Sequence, residues 1–345
     1  MTVLELVYHL GCILKKTAAH RNQKRLPRRV LSIGNMTVGG TGKTPAAIAL
    51  AKEVMRRGLK PCILTRGYMG KARGPCLVSM GQGPLLDAKL AGDEAVLMAE
   101  KLPGATVVKG GNRYESGMFA LNQMEPEHRP DLFILDDGFQ HWSLFRDKNI
   151  LLIDSANPFG NRRLIPLGTL REPLQEMKRA DVIVLTKRAS GSSPQAQDAL
   201  MSEIRRHNGH ASLFVAEHRP VAFRTLHGES FPLNWAENRT FFGFCGIGNP
   251  QSFRQTFLSV DAKKELKGII SFRDHHRYTQ RDIQTVTRNA ARTGAEWIVT
   301  TEKDIMRLRG LDLPEQIVSL SIEFITDGKF YDEVLRGLYS NSADA

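Results

Sequence analysis

The stretch "SIGNMTVGGTGKTPAAIAL", residues 32–50, decides the fold of this chain. Its core, "TVGGTGKT", fits the phosphate-loop pattern G-x-x-x-x-G-K-[ST], although the pattern's first Gly is replaced by Thr. An apolar strand pattern precedes the loop and a helix pattern follows it, so backbone N–H groups and a helix N-terminus can surround a polyphosphate. The alternative is a Gly-rich turn with a chance Lys. The residues expected to bind the nucleotide are Thr37, Val38, Gly39, Gly40, Thr41, Gly42, Lys43 and Thr44.

A second motif, "DLFILDDGFQHW" at residues 131–142, is an apolar strand that ends in Asp136 and Asp137. Neighbouring carboxylates repel each other unless they share a cation, and phosphate-loop enzymes hold Mg²⁺ with carboxylates at this position. We therefore expect a nucleoside triphosphate with Mg²⁺, with Lys43 on the β and γ phosphates and the Thr44 hydroxyl on the metal. Which of the two Asp residues contacts the metal stays open.

The base of the nucleotide is indicated by a third stretch. "LTKRA", residues 185–189, is similar to the [NT]KxD reader of guanine, but Ala189 stands where the Asp is needed. ATP is therefore expected in preference to GTP.

Short apolar runs rich in β-branched residues alternate with helix patterns along most of the chain. Buried parallel strands have this appearance, and they need crossover helices. We predict an α/β fold with a mostly parallel sheet of the P-loop NTPase type and helices on both faces, and a smaller α/β domain joined to it by a β-ribbon. The expected helices include 44–57, 281–292 and 331–339. The predicted divisions are an amphipathic helix with a basic segment (1–27), a nucleotide-binding domain (28–212), a ribbon linker (213–237) and a smaller α/β domain that closes over the site (238–345).

The charge of +12 and the pI of about 9.7 indicate an anionic partner, which is nucleic acid, a phosphorylated substrate or an acidic membrane surface. Residues 1–30 hold seven Lys and Arg against one Glu, half of the net excess. The stretch "VLELVYHLGCILKK" at 3–16 has apolar spacing that suits one helix face, but it is too short to span a bilayer. It is either an interfacial membrane helix or a terminal helix packed on its own domain.

Other functional classes are less consistent with the sequence. The four Cys residues form no C-x-x-C pair, which is against a zinc site or a disulfide scaffold and fits a reducing cytoplasm. A nucleic-acid-dependent ATPase is disfavoured because the aromatic content is 7% and no stacking platform is evident. A regulatory GTPase or metallochaperone is disfavoured by the missing guanine-reading Asp.

Seven motifs together resemble one family, the tetraacyldisaccharide 4'-kinases. They are "GNMTVGGTGKTP" (34–45), "TRGYMG" (65–70), "GDE" (92–94), "LDDGFQH" (135–141), "PLGTLREP" (166–173), "FRDHHRY" (272–278) and "TTEKD" (300–304). The family's phosphate loop is similar in lacking the first Gly. The resemblance implies transfer of the γ-phosphoryl of MgATP to the 4'-hydroxyl of a tetraacylated glucosamine disaccharide 1-phosphate, which gives lipid IVA. It also implies peripheral contact with the cytoplasmic face of the Gram-negative inner membrane through an N-terminal helix, and no nucleic-acid partner.

The resemblance also suggests roles for individual residues. Asp93 of "GDE" is expected to be the catalytic base, although a carboxylate there could also serve the helix dipole alone. Either His275 or His276 is expected to partner it. Glu172 of "REP" is expected to join Asp136 or Asp137 around Mg²⁺, and Arg171 to neutralise phosphate charge in the transition state.

The remaining expectations concern the lipid substrate. The residues expected to face the sugar 1-phosphate or the membrane headgroups are Arg66, Lys71, Arg73 and Arg113, with Asn112 assisting substrate binding. Lys303 and Asp304 of "TTEKD" follow an apolar strand, where α/β sheets place ligands, but a salt bridge between the lobes is an equal alternative.

Overall fold

The structure, a computed structural model, describes residues 2–186 and 194–338. Most of the stretch compared with the guanine reader, 187–189, lies outside these ranges, as does most of the Ser-rich loop predicted at 189–197. Within them, the strands are β1 (Arg29–Gly34), β2 (Pro61–Thr65), β3 (Cys76–Met80), β4 (Thr106–Lys109), β5 (Leu132–Asp136), β6 (Lys148–Asp154), β7 (Val182–Thr186), β8 (Ser212–Arg224), β9 (Ser230–Pro232), β10 (Thr240–Cys245), β11 (Glu265–Ser271), β12 (Trp297–Thr301) and β13 (Ile317–Thr326).

Helices alternate with these strands along the chain. They are α1 (Val3–Arg21), α2 (Lys43–Arg56), α3 (Ala88–Ala91), α4 (Asp93–Lys101), α5 (Arg113–Gln123), α6 (Pro194–His207), α7 (Pro250–Leu258), α8 (Gln280–Arg292), α9 (Glu302–Arg307) and α10 (Gly328–Leu335). The last helix begins three residues before the predicted start, because the Asp327 side chain accepts a hydrogen bond from the Lys329 N–H at 2.9 Å and caps it.

One thirteen-stranded sheet runs through the whole fold, in the order β11-β10-β12-β13-β8-β7-β6-β1-β5-β2-β4-β3, with β9 paired to β8. Its pairs are parallel except for β3 with β4, β8 with β9 and β8 with β13. The predicted α/β fold with a mostly parallel sheet is therefore confirmed. The division into two domains stays a prediction, since β8, from the predicted linker, pairs with β7 on one side and β13 on the other.

Strand β1 explains how the phosphate loop is supported. Leu31 and Ile33 pack on one face of the sheet in a core shared with α2, whereas Val30 packs on the opposite face with residues near α5. Because both faces of the sheet are buried at β1, this strand needs a continuous run of apolar residues and not an alternation of apolar and polar residues. The loop that follows β1 thus leaves a rigid central strand.

The predicted ribbon is β8 and β9, with one difference from expectation. The two strand-like stretches around Pro220 form a single 13-residue strand. Opposite Pro220 the pairing with β13 shifts register between Ser321 and Ile322, which is a local irregularity in the ladder. A proline is tolerated in a strand at such a point, because the N–H that it lacks is not required.

Helix α1 packs on the first lobe through its polar side. Glu5 is buried and bonds Arg163 at 3.1 Å, the Tyr8 hydroxyl donates to the backbone oxygen of Arg171 at 3.0 Å, and Lys16 pairs with Glu176 at 2.6 Å. The opposite side is apolar and exposed. The most exposed apolar residues there are Val3 (77%), Leu14 (71%), Val7 (62%), Leu4 (58%) and Leu10 (49%).

This orientation is the reverse of an ordinary surface helix, whose apolar side faces the core. Within residues 2–186 and 194–338, none of the helices combines the length and the apolar content needed to cross a bilayer.

Candidate active site

The phosphate loop lies between β1 and α2, as its sequence predicts. Gly42 has φ of 86°, in the left-handed region, and its Cα lies so close to the His218 ring on β8 that a Cβ would meet Nε2 at 1.9 Å. Glycine is therefore required at this position both by the backbone angle and by the available space. Two hydrogen bonds tie the loop to other segments. The Val38 N–H donates to the Thr169 backbone oxygen (2.7 Å), and the Thr186 hydroxyl donates to the Thr41 backbone oxygen (3.2 Å).

The first residue of α2, Lys43, points at the end of β5. Its Nζ lies 3.2 Å from Asn35 Oδ1 and 3.5 Å from Asp137 Oδ1. Asp137 also accepts from Arg171 at 2.9 Å and has φ of 51°, a conformation that is costly for a non-glycine residue and is concentrated at functional sites. Burial raises the pKa of Asp137, but the charges of Lys43 and Arg171 hold it below its usual value.

Asp136 is the residue best suited to a cation. Its Oδ2 accepts from the Thr65 hydroxyl at 3.1 Å, whereas its buried Oδ1 has no hydrogen-bond partner. Burial and the carboxylates of Glu94 and Asp137 raise its pKa above the usual range. A buried carboxylate oxygen without a donor, in the cleft that the buried Thr44 also lines, fits a hard divalent cation such as Mg²⁺.

Glu172 lies near this group but is already paired. Its Oε1 accepts from Gln140 at 2.6 Å, and its Oε2 forms an ion pair with Arg179. In the part of the chain that the structure describes, no three His, Cys, Asp or Glu side chains are grouped so that they could hold a metal ion. The sequence-based prediction that Glu172 joins the metal site therefore stays a prediction, and its present contacts are with Gln140 and Arg179.

The structure brings Asp93 and His275 together across 182 positions of sequence. Asp93 is the first residue of α4 and is buried, with 4% of its surface exposed. His275 Nδ1 lies 3.5 Å from Asp93 Oδ2, and the His275 backbone has φ of 55°. Burial raises the pKa of Asp93, but the His275 hydrogen bond and the Arg307 charge lower it far below the usual range.

His276 has different partners from its neighbour. Its Nε2 lies 3.2 Å from Asp282 Oδ2, and its ring stacks on Phe272 with centroids 4.7 Å apart. Asp282 is in turn part of the cap of α8. Of the two histidines left open by the sequence, His275 is therefore the one placed beside Asp93.

Sequence reasoning missed Arg307, the last residue of α9. Its Nε donates to Asp93 at 2.9 Å and its Nη1 donates to Asp304 at 2.9 Å. The sequence does contain a pattern that could have pointed to Arg307. It follows Asp304 by three positions in a helix, and side chains of opposite charge at i and i+3 are neighbours. The "TTEKD" motif also acquires a role: Lys303 forms an ion pair with Glu94 of α4, and Asp304 is fully buried.

The residues predicted to bind the lipid substrate are spread over different environments. Arg66 lines the cleft beside the phosphate loop, and Lys71 and Arg73 are exposed. Asn112 caps α5 by accepting from the Tyr114 and Glu115 N–H groups.

Arg113 differs from the expectation of a headgroup-facing side chain. It is buried and donates to the backbone oxygen of Gly110 at 2.7 Å. Burial lowers its pKa to about 10. A contact with a membrane headgroup does not fit this burial, because the guanidinium is turned into the protein; substrate binding by Arg113 stays a prediction.

The phosphate loop and His275 line one cleft of about 2030 Å³. Its walls come from the phosphate loop, from α1, from the β8 segment and from the second lobe. The cleft lining includes Lys43, Thr44, Asp136, Asp137, Arg171 and His275. The cleft therefore joins the phosphate loop to His275, which contacts the buried Asp93 carboxylate.

Comparisons with known proteins agree with this geometry. The model of the family described as Tetraacyldisaccharide-1-P 4'-kinase matches residues 1–339. The tetraacyldisaccharide 4'-kinase of Syntrophus aciditrophicus is 37% identical, covering 97% of this chain and 91% of the relative, and that of Anaeromyxobacter dehalogenans is 40% identical over 81% and 72%. A crystal structure of LpxK from Aquifex aeolicus in complex with ATP superposes with a TM-score of 0.75 and 30% identity, covering 97% of each chain. The chain therefore belongs to the tetraacyldisaccharide 4'-kinase family.

Proposed function

We propose that this kinase transfers the γ-phosphoryl of ATP to the 4'-hydroxyl of a tetraacylated glucosamine disaccharide 1-phosphate, giving lipid IVA. The observation that carries the proposal is that the phosphate loop lines the same cleft as His275, whose imidazole lies beside the buried Asp93 carboxylate, since phosphoryl transfer to an alcohol needs both a phosphate site and a base. The two relatives named above support this acceptor, since each is a tetraacyldisaccharide 4'-kinase.

On the nucleotide side, this chain contributes position and charge. Lys43 would exchange its contact with Asp137 for the terminal phosphates, and Arg171, 2.9 Å from Asp137, is placed to neutralise charge that develops in the transition state. Thr44, Asp136 and Asp137 would hold Mg²⁺, which when bound supplies positive charge to the phosphate oxygens. Glu172 would reach this group only by leaving Arg179 and Gln140.

On the acceptor side, Asp93 is proposed as the base. Phosphoryl transfer needs a group that receives the proton of the attacking hydroxyl. Asp93 is ionised over a wide pH range because its pKa is low, and its neighbour His275 can share the proton. Arg66, on the wall of the cleft, is proposed to bind the 1-phosphate of the acceptor, with exposed Lys71 and Arg73 beside it.

We further propose that α1 lays its apolar side in the lipid boundary of the cytoplasmic face of the inner membrane. Val3, Val7, Leu10 and Leu14 point away from the protein, while Lys15 lines the cleft between that surface and the site. An interfacial helix with this pattern binds anionic membranes by apolar burial and by charge. Such contact would bring a lipid-anchored acceptor to the cleft.

The activity is tested by incubating the purified protein with [γ-³²P]ATP and the tetraacyl disaccharide 1-phosphate. We expect a labelled lipid with two phosphates, formed from ATP in preference to GTP. Parallel incubations contain single-stranded DNA or RNA without the lipid. Labelled lipid supports the proposal, whereas ATP hydrolysis that responds to nucleic acid and gives no labelled lipid would refute it.

The membrane contact is tested by flotation with vesicles that contain anionic phospholipid. Replacing Val7, Leu10 and Leu14 by Gln should lower binding about tenfold or more, because each apolar side chain in the lipid contributes roughly 1.5 kcal/mol. Met80→Gln with Leu85→Gln, two exposed apolar residues elsewhere, is the matched control. Equal flotation of the triple variant and the control would show that α1 is a packing helix only.

A further inference from the structure

The guanidinium of Arg307 joins both members of the proposed catalytic pair. Its Nε donates to Asp93 Oδ2 at 2.9 Å, and its Nη2 contacts the same carboxylate and lies 3.1 Å from His275 Nδ1. Its Nη1 donates to the Gly246 oxygen at 2.9 Å. The side chain is only 8% exposed, so these contacts are made away from bulk water.

The position of Arg307 is fixed by a buried anchor. Asp304, one helical turn earlier, accepts from Arg307 at 2.9 Å, from the Tyr278 hydroxyl at 2.9 Å and from the Thr301 hydroxyl at 2.6 Å. It also accepts from the Gly246 N–H at 3.1 Å. This network holds the guanidinium in one geometry before any substrate binds.

The contact with His275 has a consequence for protonation. A guanidinium can only donate hydrogen bonds, so when Arg307 bonds His275 Nδ1 that nitrogen accepts, and the ring is neutral with its proton on Nε2. A protonated imidazole has no lone pair at Nδ1 and would also place a second positive charge beside Arg307. The hydrogen bond and the charge of Asp93 raise the pKa of His275 above its usual value, and burial and the Arg307 charge oppose that rise.

We propose that Arg307 is a positioning residue that orients the Asp93 carboxylate and opposes protonation of His275, so that the pair can receive the acceptor's proton. This rests on the proposed kinase function. In the step, the acceptor oxygen forms a bond to the γ-phosphorus while the bond between that phosphorus and the bridging oxygen breaks. The electron pair leaves with ADP, and the hydroxyl proton passes to the Asp93–His275 pair.

Other charged and titratable groups also surround the pair. They are Glu94 on α4, Lys303 and Asp304 on α9, Asp274 beside His275, Tyr68 with its ring centroid 5.0 Å from the His275 ring, and Tyr278 behind Asp304. Of these, Lys303 is neutralised by Glu94. Arg307 is therefore the cation in direct contact with both Asp93 and His275 among the described residues.

The test is the pH dependence of kcat for Arg307→Gln, with the purified full chain and the lipid acceptor. The pair must be unprotonated to act as a base, and loss of the cation raises its proton affinity. The acid limb should therefore move to higher pH by about one unit, with activity recovering as pH rises. Arg307→Lys retains the charge and should move the limb less. A uniform loss of kcat at every pH would overturn the proposal.

Arg309→Gln is the matched control, since Arg309 also joins this segment to α4, through Glu100, but lies away from the pair. It should leave the pH profile unchanged. A second measurement needs no activity: the ¹³C-labelled imidazole resonances are titrated in wild type and Arg307→Gln, with His275→Gln identifying the signal. A higher pKa for His275 in the variant supports the proposal, and an equal pKa refutes it. Absence of lipid phosphorylation by the wild type would instead refute the proposed function.

Discussion

The phosphate loop and the Asp93 cluster are the two parts of the proposed site, but they are built in different ways. The loop is continuous in sequence, and residues 37–44 run from the end of one strand into the first turn of one helix. The cluster is assembled from three distant segments, with Asp93 on α4, His275 after β11 and Arg307 on α9. The phosphate loop is therefore encoded locally, whereas the Asp93 cluster forms only when distant parts of the chain pack together.

This difference predicts how substitutions should affect the phosphate loop and the Asp93 cluster. The loop depends on backbone geometry that is set by neighbouring residues, such as the left-handed φ of Gly42. The cluster depends on contacts between distant segments, which include ion pairs of α4 with α9 and with Arg309 just after it. Substitutions in the cluster should therefore affect chemistry without disturbing nucleotide binding, and substitutions in the loop should affect both.

The largest effect is expected for Asp93→Asn. The amide keeps the shape of the side chain but cannot receive the acceptor's proton, so kcat should fall about 10³-fold. ATP affinity, measured by calorimetry, should be nearly unchanged, because the contacts of Asp93 are with His275 and Arg307 and not with the phosphate loop. If the variant loses ATP affinity but retains its rate at saturating ATP, Asp93 binds the nucleotide and is not the base.

At the loop, Lys43→Met should lower kcat about 10²-fold and also weaken ATP binding, because one charge on the terminal phosphates is lost. Lys52→Met is the matched control, since Lys52 lies on the same helix but makes an exposed ion pair with Glu323. It should retain full activity. Equal rates for Lys43→Met and wild type would contradict the role of the loop.

The same contrast explains how much could be predicted from the sequence. The loop, β5 with its terminal Asp136 and Asp137, and the alternation of strands and helices are short-range patterns, and the structure has each of them where it was expected. Strand β3 was not predicted; it is an edge strand of five residues with a partly exposed, irregular pairing to β4. Its local pattern is weak because little of it is buried.

Contacts between distant residues could not be predicted from spacing. Neither the selection of His275 over His276 nor the position of Arg307 follows from local pattern, since both depend on how α9 packs against α4. The basic N-terminal segment is a similar case. Arg25 and Arg29 both pair with Asp147, and Lys16 pairs with Glu176, so part of its charge is used within the protein.

The two adjacent histidines allow a direct test of the cluster. His275→Gln should lower kcat about tenfold, because Asp93 loses the imidazole that shares its proton. His276→Gln should leave kcat within about twofold of wild type, because His276 faces Asp282 and Phe272. Any cost of His276→Gln is expected in thermal stability, measured by calorimetry. The reverse order of the two kcat values would reassign the pair.

The smallest effect concerns the ion pair of Lys303 with Glu94, which joins α9 to α4 next to Asp93. About a third of the Lys303 side chain and a quarter of Glu94 are exposed, so water screens the pair and it should contribute about 1 kcal/mol. A double-mutant cycle with Lys303→Met and Glu94→Gln, followed by urea unfolding, measures this coupling. The more exposed pair of Lys52 and Glu323 is the reference, and its coupling free energy should be less than half that of Lys303 with Glu94.

Because salt screens such pairs, 1 M NaCl should reduce the coupling between Lys303 and Glu94. A coupling near zero at low salt would mean that the lobes are held by packing and by Arg307, and that Lys303 is available to the cleft.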